Sequence, residues 1–414
     1  MKLLKRLEVD KNLKQYLIAV IFILAIFSFG VSTTLTKGSD IKQRVITAYK
    51  NGRANSLSAN QLLKGVINEF ESSVNQNFYK RLAFVDIFGG FQRLLGKNVV
   101  NDADAVNSTV YKMKNGQLTL SSYPRDLTST AKNVVALKKY LESKSTEFIY
   151  VQAPHKVSKY DNQLPVGLED YNNVKADEML ELLKEANIRT IDLREEIQKD
   201  NIVHEDMFYI TDHHWKTPAA FWGYCKVIEY IDKNLDIPVS NVDVTTDLNN
   251  YFVEEYKDCF LGSQGRRVGK LYAGVDDYTF IHPNFDTSYE MVYHYSHSTT
   301  KEFTGSFYDV MVKEEYLDMT APASTNRYAA YLGGDYPLLV IENKMIDEGR
   351  ILIVQDSFGL PFSPFMSLNF AYTEVFDLRH YKDKTLMEYL EENEFDLVLF
   401  LQNANNYEQN QDGE

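Results

Sequence analysis

Residues 351–359 have the sequence ILIVQDSFG, in which a run of four apolar residues and a glutamine is followed by an acid and a serine. Short apolar runs that end in turn residues are typical of strands buried on both faces of a parallel sheet. Ser357 therefore falls at the carboxyl end of a predicted strand, where such sheets bind their ligands. Asp and Ser are also common helix caps, so this stretch alone leaves a nucleophile and a cap open as roles for Ser357.

The chain around this stretch alternates between apolar strand segments and amphipathic helical segments. Further strands are predicted over residues 147–153, 189–193, 373–378 and 396–402, and helices over 127–141, 174–186, 217–234, 384–393 and from the Ser357 turn to residue 370. This alternation indicates an α/β domain whose parallel sheet is covered on both faces. The sequence of residues 240–335 is less regular, and for this region we predict loops and short strands.

The segment before the α/β region has a different pattern. Residues 60–96 show helical spacing of apolar residues, interrupted by a predicted turn at 86–90. Residues 110–120 predict a β-hairpin, because Asn115-Gly116 is a favoured turn pair. We divide the chain into 1–36 (an N-terminal segment considered next), 37–120 (stalk with a helical and hairpin region) and 121–414 (the α/β domain).

The N-terminus has the pattern of a membrane segment. Residues 16–31 carry no charge, and the uncharged residues 32–36 extend this stretch to a length that can span a bilayer. Basic residues precede it, namely Lys2, Lys5, Arg6, Lys11 and Lys14. The positive-inside rule then predicts a single-pass signal anchor in the cell membrane, with the bulk of the chain extracytoplasmic. A cleaved signal peptide is the alternative, although residues 28–33 match a cleavage site poorly.

Charge and cysteine content narrow the classes of function. A net charge of −14 and a pI near 5.2 argue against a nucleic-acid binder that neutralises phosphates. The two cysteines, Cys225 and Cys259, have no metal-site spacing, and the sequence does not choose between two buried thiols and a disulfide. No cofactor is expected.

A second stretch, Asp212-His213-His214-Trp215, contains the residue types that activate a serine. A serine hydroxyl needs a base, and a neutral histidine needs an acceptor on its other ring nitrogen to fix its tautomer. In a turn, a carboxylate two residues before a histidine can reach that ring. We therefore expect Asp212 to orient His214, His214 to act on Ser357, and Trp215 to pack beneath the loop, with His213 as a structural neighbour.

Two other interpretations of this stretch stay open. The histidines can be ordinary satisfied side chains, since histidine is of intermediate burial in proteins. Asp212, His213 and His214 are also possible zinc or manganese ligands, with His294 and His297 as further candidates. Adjacent histidines rarely bind one ion, so no metal is expected.

Several motifs occur in a characteristic order. They are Asp212-His213-His214-Trp215, Leu261-Gly262-Ser263-Gln264-Gly265-Arg266-Arg267, Gly333-Gly334, Asp356-Ser357-Phe358 and Asp377-Leu378-Arg379, together with the strand exit Val151-Gln152-Ala153-Pro154-His155-Lys156. The set resembles the DHHW family and, more broadly, the alginate O-acetyltransferase-type SGNH hydrolases, in which Asp-x-His precedes the serine.

The resemblance implies a fold and a set of site residues. The fold would be an SGNH-hydrolase-like three-layer α/β fold with a parallel central sheet, preceded by an N-terminal transmembrane helix and a helical stalk. Ser357, His214 and Asp212 match the catalytic residues. Gly334 and Asn403 are candidates for the oxyanion hole, with Asn405 an equal rival of Asn403. Arg379 is a candidate for substrate binding or for a structural ion pair.

The resemblance also implies a function. The chain would be an extracytoplasmic serine O-acetyltransferase or acetylesterase that acts on a cell-surface or exported polysaccharide. Its expected partner is a membrane-bound O-acyltransferase that carries acetyl groups across the membrane. The alternatives are a non-catalytic polysaccharide-binding scaffold of a surface-polymer modification complex and a metal-dependent phosphoesterase.

Overall fold

The computed structural model describes residues 11–103, 105, 108–296 and 299–406, and these residues form two compact units that are divided between Phe88 and Gly89. The helices are α1 (Lys11–Ala54), α2 (Ala59–Asn77), α3 (Arg81–Leu94), α4 (Thr128–Ser143), α5 (Tyr171–Glu185), α6 (Leu193–Lys199), α7 (Thr217–Asn234), α8 (Val242–Thr245), α9 (Ser263–Val268), α10 (Lys270–Ala273), α11 (Phe307–Met311), α12 (Ser363–Met366) and α13 (Leu386–Glu392). The strands are β1 (Val99–Asn101), β2 (Thr109–Lys112), β3 (Leu118–Leu120), β4 (Glu147–Gln152), β5 (Arg189–Asp192), β6 (Tyr251–Phe260), β7 (Asp276–Pro283), β8 (Tyr289–Ser296), β9 (Thr299–Gly305), β10 (Leu338–Asn343), β11 (Arg350–Gln355), β12 (Tyr372–Phe376) and β13 (Leu397–Gln402).

The first unit is built on the long helix α1. Within the described residues, α1 is long and apolar enough to cross a membrane, and its apolar stretch is almost wholly exposed. The helix continues through the predicted stalk to Ala54, and α2 then packs along it. Lys2, Lys5 and Arg6, which belong to the predicted basic flank, lie outside the described residues.

The predicted turn at residues 86–90 is wrong, because α3 runs through it. The break in the helical pattern lies instead at Phe78–Lys80, where Lys80 adopts a φ of 56°. The two glycines that suggested a turn allow close packing: a Cβ added to Gly89 would lie 1.8 Å from the carbonyl oxygen of Val268. The predicted hairpin is confirmed by the antiparallel pairing of β2 with β3, which β1 extends to three strands.

The central sheet has eight strands in the described part of the chain, in the order β5-β4-β13-β11-β12-β10-β8-β9. The strands from β5 to β12 are parallel, as predicted, with β11 in the middle between β13 and β12. The predicted parallel central sheet is confirmed, and the structure adds an antiparallel part at one end, formed by β10, β8 and β9. The expectation of loops and short strands over residues 240–335 is wrong for β6–β9, each of which has seven to ten residues.

Two hydrophobic clusters cover the two faces of the sheet. Ile351 and Ile353 of β11 pack into a cluster that contains residues of α6, α7, α11 and α12. Leu352 and Val354 point the other way, into a cluster with α4, α5 and α13. The chain therefore has the predicted three-layer α/β fold, and Ser357 follows the central strand at its carboxyl end.

Candidate active site

The loop Ile210–His214 carries the predicted base, and buried side chains from distant segments hold it. The carboxylate of Asp276, at the start of β7, accepts hydrogen bonds from the backbone N–H of Ile210 at 2.6 Å and of Thr211 at 2.7 Å. It also accepts one from the Thr211 hydroxyl at 2.6 Å. Burial raises the pKa of Asp276, and these donors oppose that rise. Asp276 thus fixes the backbone just before Asp212.

Lys156 holds the same loop from the other side. Its Nζ donates to the backbone carbonyls of Ile210 at 2.9 Å and Asp212 at 2.6 Å, and lies 3.2 Å from Oε1 of Gln264. The residue is 1 % exposed. Burial lowers the pKa of Lys156 to about 7, although Asp276 and Asp212 favour its charged form. Sequence analysis had singled out Lys156 only as part of a strand exit.

The Gly262-Ser263-x-Gly265 motif is placed against this loop. The Ser263 N–H donates to Oδ2 of Asp212 at 2.6 Å. Gly262 permits that approach, since a Cβ there would lie 2.3 Å from Cβ of Asp212. A Cβ at Gly265 would lie 2.7 Å from Cβ of Thr211. The two glycines therefore bring α9 close enough to hydrogen-bond the carboxylate.

The serine lies in a short 3-10 turn, Ser357–Gly359, rather than in the predicted helix to residue 370. Asp356 caps this turn: its Oδ1 accepts from the Phe358 N–H at 2.9 Å, and its Oδ2 accepts from the Asn403 N–H at 2.8 Å. The Asp356 carboxylate thus joins the turn after β11 to the end of β13. The capping role is therefore taken by Asp356, which leaves the Ser357 hydroxyl available for other contacts.

Asp212, His214 and Ser357 form a chain of short polar contacts. Nδ1 of His214 lies 2.6 Å from Oδ1 of Asp212, and Nε2 lies 2.8 Å from Oγ of Ser357. Burial opposes ionisation of Asp212, but the two neighbouring histidines hold its pKa well below the usual range. An ionised Asp212 accepts from Nδ1–H, which leaves Nε2 as the acceptor for the serine hydroxyl.

Aromatic side chains fix the imidazole and enclose it. The ring of Tyr328 stacks on that of His214 with centroids 3.9 Å apart and an interplanar angle of 13°. Trp215 is fully buried, and its Nε1–H donates to the Phe358 carbonyl at 3.1 Å. Ser357 is largely buried, at 9 % exposure. Tyr328 had no distinguishing motif in the sequence.

His213 is directed away from the serine. Its Nδ1 lies 3.0 Å from Oγ of Ser263, and burial and the adjacent His214 lower its pKa. His213 is partly exposed, whereas His155 of the strand exit is buried, with Nδ1 accepting from the Val157 N–H at 3.1 Å. Both histidines therefore hold loops in place around the site.

The structure places the other candidate residues in defined contacts. The side-chain amide of Asn403 donates to the Pro154 carbonyl at 2.9 Å, and the Asn405 N–H donates to Oδ1 of Asn403. Nη2 of Arg379 lies 2.6 Å from Oδ2 of Asp377 and 3.0 Å from Oδ2 of Asp335. These contacts favour structural roles for the Asn403 and Arg379 side chains.

Gly334 adopts a φ of +143° immediately before Asp335. Burial raises the pKa of Asp335, and Oδ1 of this residue has no hydrogen-bond partner among the described residues. Arg379 and His214 both act on Asp335 electrostatically and favour its ionised form. The Gly334-Asp335 segment therefore belongs to the electrostatic surroundings of the imidazole.

Two groups of described residues bring metal-ligating atoms within 4.8 Å of one another, namely Asp212, His213 and His214, and Asp335, Asp377 and His380. In the first group, an ion would have to replace the contacts of His214 with Asp212 and Ser357. In the second, both carboxylates pair with Arg379. The arrangement therefore suits proton transfer better than ion binding. His297, a further metal candidate from the sequence, lies outside the described residues.

Cys225 and Cys259 are free thiols, which resolves the alternative that the sequence left open. Burial raises the pKa of Cys225 to about 12. A thiol with a raised pKa is a weak nucleophile, because the thiolate is the reactive form. Burial raises the pKa of Cys259 as well, so neither cysteine is set up as a nucleophile.

A family model described as the SGNH hydrolase-like domain of acetyltransferase AlgX matches residues 117–249. This segment includes Asp212 and His214 and covers about a third of the chain. No curated protein sequence matches the chain.

Solved structures are similar over more of the chain. PatB1 from Bacillus cereus is 23% identical with a TM-score of 0.58, and the match covers 73% of this chain and 97% of that one. A second PatB1 structure carries a sulfonyl adduct, with 22% identity, a TM-score of 0.57 and coverage of 72% and 95%. A DHHW family protein from Eubacterium siraeum DSM 15702 is 20% identical with a TM-score of 0.53, covering 76% of this chain and 99% of that one. These matches confirm the predicted SGNH-like fold and the resemblance to DHHW and AlgX-type proteins.

Proposed function

We propose that the chain is an extracytoplasmic, serine-dependent O-acetyltransferase or acetylesterase that acts on a cell-surface or exported polysaccharide. One observation carries this proposal: His214 lies in hydrogen-bond contact with both Asp212 and Ser357. Base, orienting acid and nucleophile within such distances are the geometric signature of an activated serine. The match to an acetyltransferase-type SGNH domain supports acetyl as the transferred group.

The reaction proceeds through an acetyl-serine. Nε2 of His214 takes the hydroxyl proton of Ser357 as Oγ bonds to the carbonyl carbon of an acetyl donor. The bond from that carbon to the donor oxygen then breaks, and the imidazolium returns the proton to the leaving oxygen. In the second half, His214 deprotonates a sugar hydroxyl, or water, which attacks the acetyl carbon. Ser357 leaves and recovers its proton, so the enzyme is unchanged.

The groups that would stabilise the oxyanion come from the backbone. We assign one donor to the N–H of Ser357, at the first position of a turn, where a helical N–H has no acceptor within the turn. Gly334 stays our candidate for a second backbone donor. Asn403 and Arg379 are instead assigned to positioning, because their side chains are engaged with Pro154 and with Asp335 and Asp377.

The proposed location follows from α1. A single apolar helix of this length, preceded by basic residues, would anchor the chain with the site outside the cytoplasm. One helix cannot carry an acetyl group across a bilayer. We therefore propose a membrane-bound O-acyltransferase as the partner that supplies acetyl groups on the outer side.

The test is covalent labelling of the full chain in detergent. A sulfonyl fluoride or fluorophosphonate, followed by mass spectrometry, is expected to modify Ser357, and Ser357→Ala is expected to lose both labelling and hydrolysis of a chromogenic acetyl ester. Ser143→Ala removes an exposed serine on α4 and is the matched control. Full esterase activity in Ser357→Ala would contradict the proposal. Loss of wild-type activity to a chelator would favour the metal-dependent phosphoesterase, and a folded, unlabelled wild type would favour the scaffold.

A further inference from the structure

Helix α3 exposes a continuous apolar face. The face consists of Phe84, Ile87, Phe88, Phe91 and Leu94, whose three- and four-residue spacing puts them on one side of the helix. Ile87 is 67 % exposed and Leu94 is 86 % exposed. An apolar surface of this kind marks a site of interaction rather than an ordinary water-facing helix.

The beginning of α3 is held against the apolar part of α1. The Tyr79 N–H donates to Oγ1 of Thr33 at 3.0 Å. The ring of Phe29 lies 5.1 Å from that of Phe84, which is on the apolar face, and 5.8 Å from that of Phe78. Phe29 and Thr33 both belong to the charge-free stretch of α1. The start of α3 is therefore fixed at the level of that stretch.

Helix α2 leads the chain back toward the charge-free stretch of α1. It runs antiparallel to α1, since Arg44 of α1 pairs with Glu69 at 2.8 Å, whereas Thr33 lies near Tyr79, after the end of α2. Lys37 is the first charged residue after the apolar stretch. Phe29 precedes Lys37 by eight residues (37 − 29), or about 12 Å along the helix axis. The turn between α2 and α3 therefore lies beside the uncharged stretch of α1, on the N-terminal side of Lys37.

We propose that α3 lies in the outer surface of the membrane, with its apolar face against lipid. The proposal rests on the proposed membrane span of α1 and adds a second, interfacial contact to it. If α1 crosses the bilayer, the surroundings at the level of Phe29 are lipid, and the apolar face needs no protein to cover it. Side chains of α1 from Tyr16 to Ser28 are exposed, so α3 does not follow α1 deeper.

The charges around α3 also suit a lipid surface. Lys80 precedes the helix, Arg81 begins it and Arg93 lies in its last turn, whereas Asp86 is the single acid within it. Arg93 is exposed, and its Nη1 donates to the Leu271 carbonyl at 3.3 Å. Long basic side chains at the ends of an interfacial helix can reach lipid phosphates while aromatic and aliphatic side chains enter the acyl region. The expected ligand is therefore a phospholipid surface, with anionic headgroups favoured.

The test measures what surrounds single positions of the full chain in vesicles of phosphatidylcholine and phosphatidylglycerol. Cys225→Ser and Cys259→Ser first remove the native thiols, and a nitroxide is then attached at position 87 after Ile87→Cys. Lys64→Cys, on the exposed surface of α2, is the water-facing control. Ile21→Cys, in α1, is the lipid-facing control. Collisions with oxygen, which concentrates in lipid, are compared with collisions with a water-soluble nickel chelate. A nitroxide at position 87 is expected to collide more often with oxygen than with the nickel chelate, as at position 21. A nitroxide at position 64 is expected to collide more often with the nickel chelate.

A second variant tests whether the apolar side chains of α3 are what places position 87 in lipid. Phe88→Ser with Phe91→Ser is expected to shift position 87 toward nickel while position 21 still favours oxygen. A nickel preference at position 87 in the unmodified face would overturn the proposal, and so would protection from both reagents, which would mean that protein covers α3. A nickel preference at position 21 would also overturn it, because α1 would not span. None of these readouts depends on Ser357, so they can fail while the labelling experiment succeeds.

Discussion

Nζ of Lys156 lies 2.6 Å from the backbone carbonyl oxygen of Asp212, the residue whose carboxylate contacts His214. Lys156 follows β4, whereas Asp212 lies in the loop before α7, so two distant segments meet at this bond. The position of the orienting acid is therefore set by a buried lysine that has no direct contact with Ser357. We assign Lys156 as a positioning residue.

Lys156→Met is expected to weaken both activity and stability. The change leaves the buried carbonyls of Ile210 and Asp212 without this donor, at a cost of about 1–3 kcal/mol for each unsatisfied group. Urea unfolding and the rate of ester acylation measure the two effects. Lys159→Met is the control, since Lys159 pairs with Asp177 and Glu195 nearer the surface, where a salt bridge contributes about 0–1 kcal/mol. Equal losses in both variants would contradict the assignment.

The titration of Lys156 predicts how stability depends on pH. Burial lowers its pKa from 10.5 to about 7 in the folded chain. Between those two values the unfolded chain binds a proton that the folded chain does not, so the free energy of unfolding rises with pH across this window. Below pH 7 the full cost of burying the charge remains. Urea unfolding at several pH values is expected to show this rise in the wild type relative to Lys156→Met, and parallel curves would exclude it.

Gly262→Ala is expected to lower activity by displacing the acid. Its Cβ would lie 2.3 Å from Cβ of Asp212, so the carboxylate or α9 must move, and the bond from the Ser263 N–H is weakened. Acylation rates measured by a burst of leaving group are expected to fall while the fold is retained. Gly65→Ala is the matched control, because a Cβ there meets nothing within 4 Å. Within α2 that change is expected to stabilise by about 0.5–1 kcal/mol.

Local pattern predicted the parts of the site that lie within short stretches. The apolar run before Ser357 identified the central strand, and the spacing of Asp212 and His214 matched a turn in which one orients the other. Both follow from nearest-neighbour geometry, which a sequence records directly. The resemblance to SGNH hydrolases then paired the two stretches, which are separated by 143 residues.

The sequence did not predict the residues that hold the site from a distance. Asp276 and Lys156 act on the loop at residues 210–212 from separate segments, and single buried charges of this kind have no periodicity to detect. Strands β8 and β9, at the antiparallel end of the sheet, were missed for a different reason. Tyr289, Met291 and Tyr293 of β8 are buried with a period of two, but the Thr-, Lys- and Glu-rich sequence of β9 resembles a loop composition.

Asp212→Asn is expected to leave the fold intact and to reduce acylation. An amide in place of the carboxylate can donate to His214 and favour the wrong tautomer, and it removes the charge that stabilises the imidazolium. In serine proteases the equivalent change lowers kcat about 10⁴-fold. Acylation kinetics with an activated acetyl ester are the measurement. Asp200→Asn, which changes an acid paired with Lys226 away from the site, is the control; a similar loss there would point to general instability.

Arg379→Ala distinguishes a structural arginine from one that binds substrate. Removal of the guanidinium leaves Asp335 and Asp377 together without their cation, and breaking a buried pair in this way costs about 3–5 kcal/mol. Arg189→Ala, which removes an exposed partner of Glu147, is the control and is expected to cost about 0–1 kcal/mol. Burial raises the pKa of Asp335, so the deficit of Arg379→Ala should shrink as the pH falls and Asp335 becomes protonated. If Arg379 instead serves only the substrate, urea unfolding of the variant will match the wild type, and the loss will appear in KM alone.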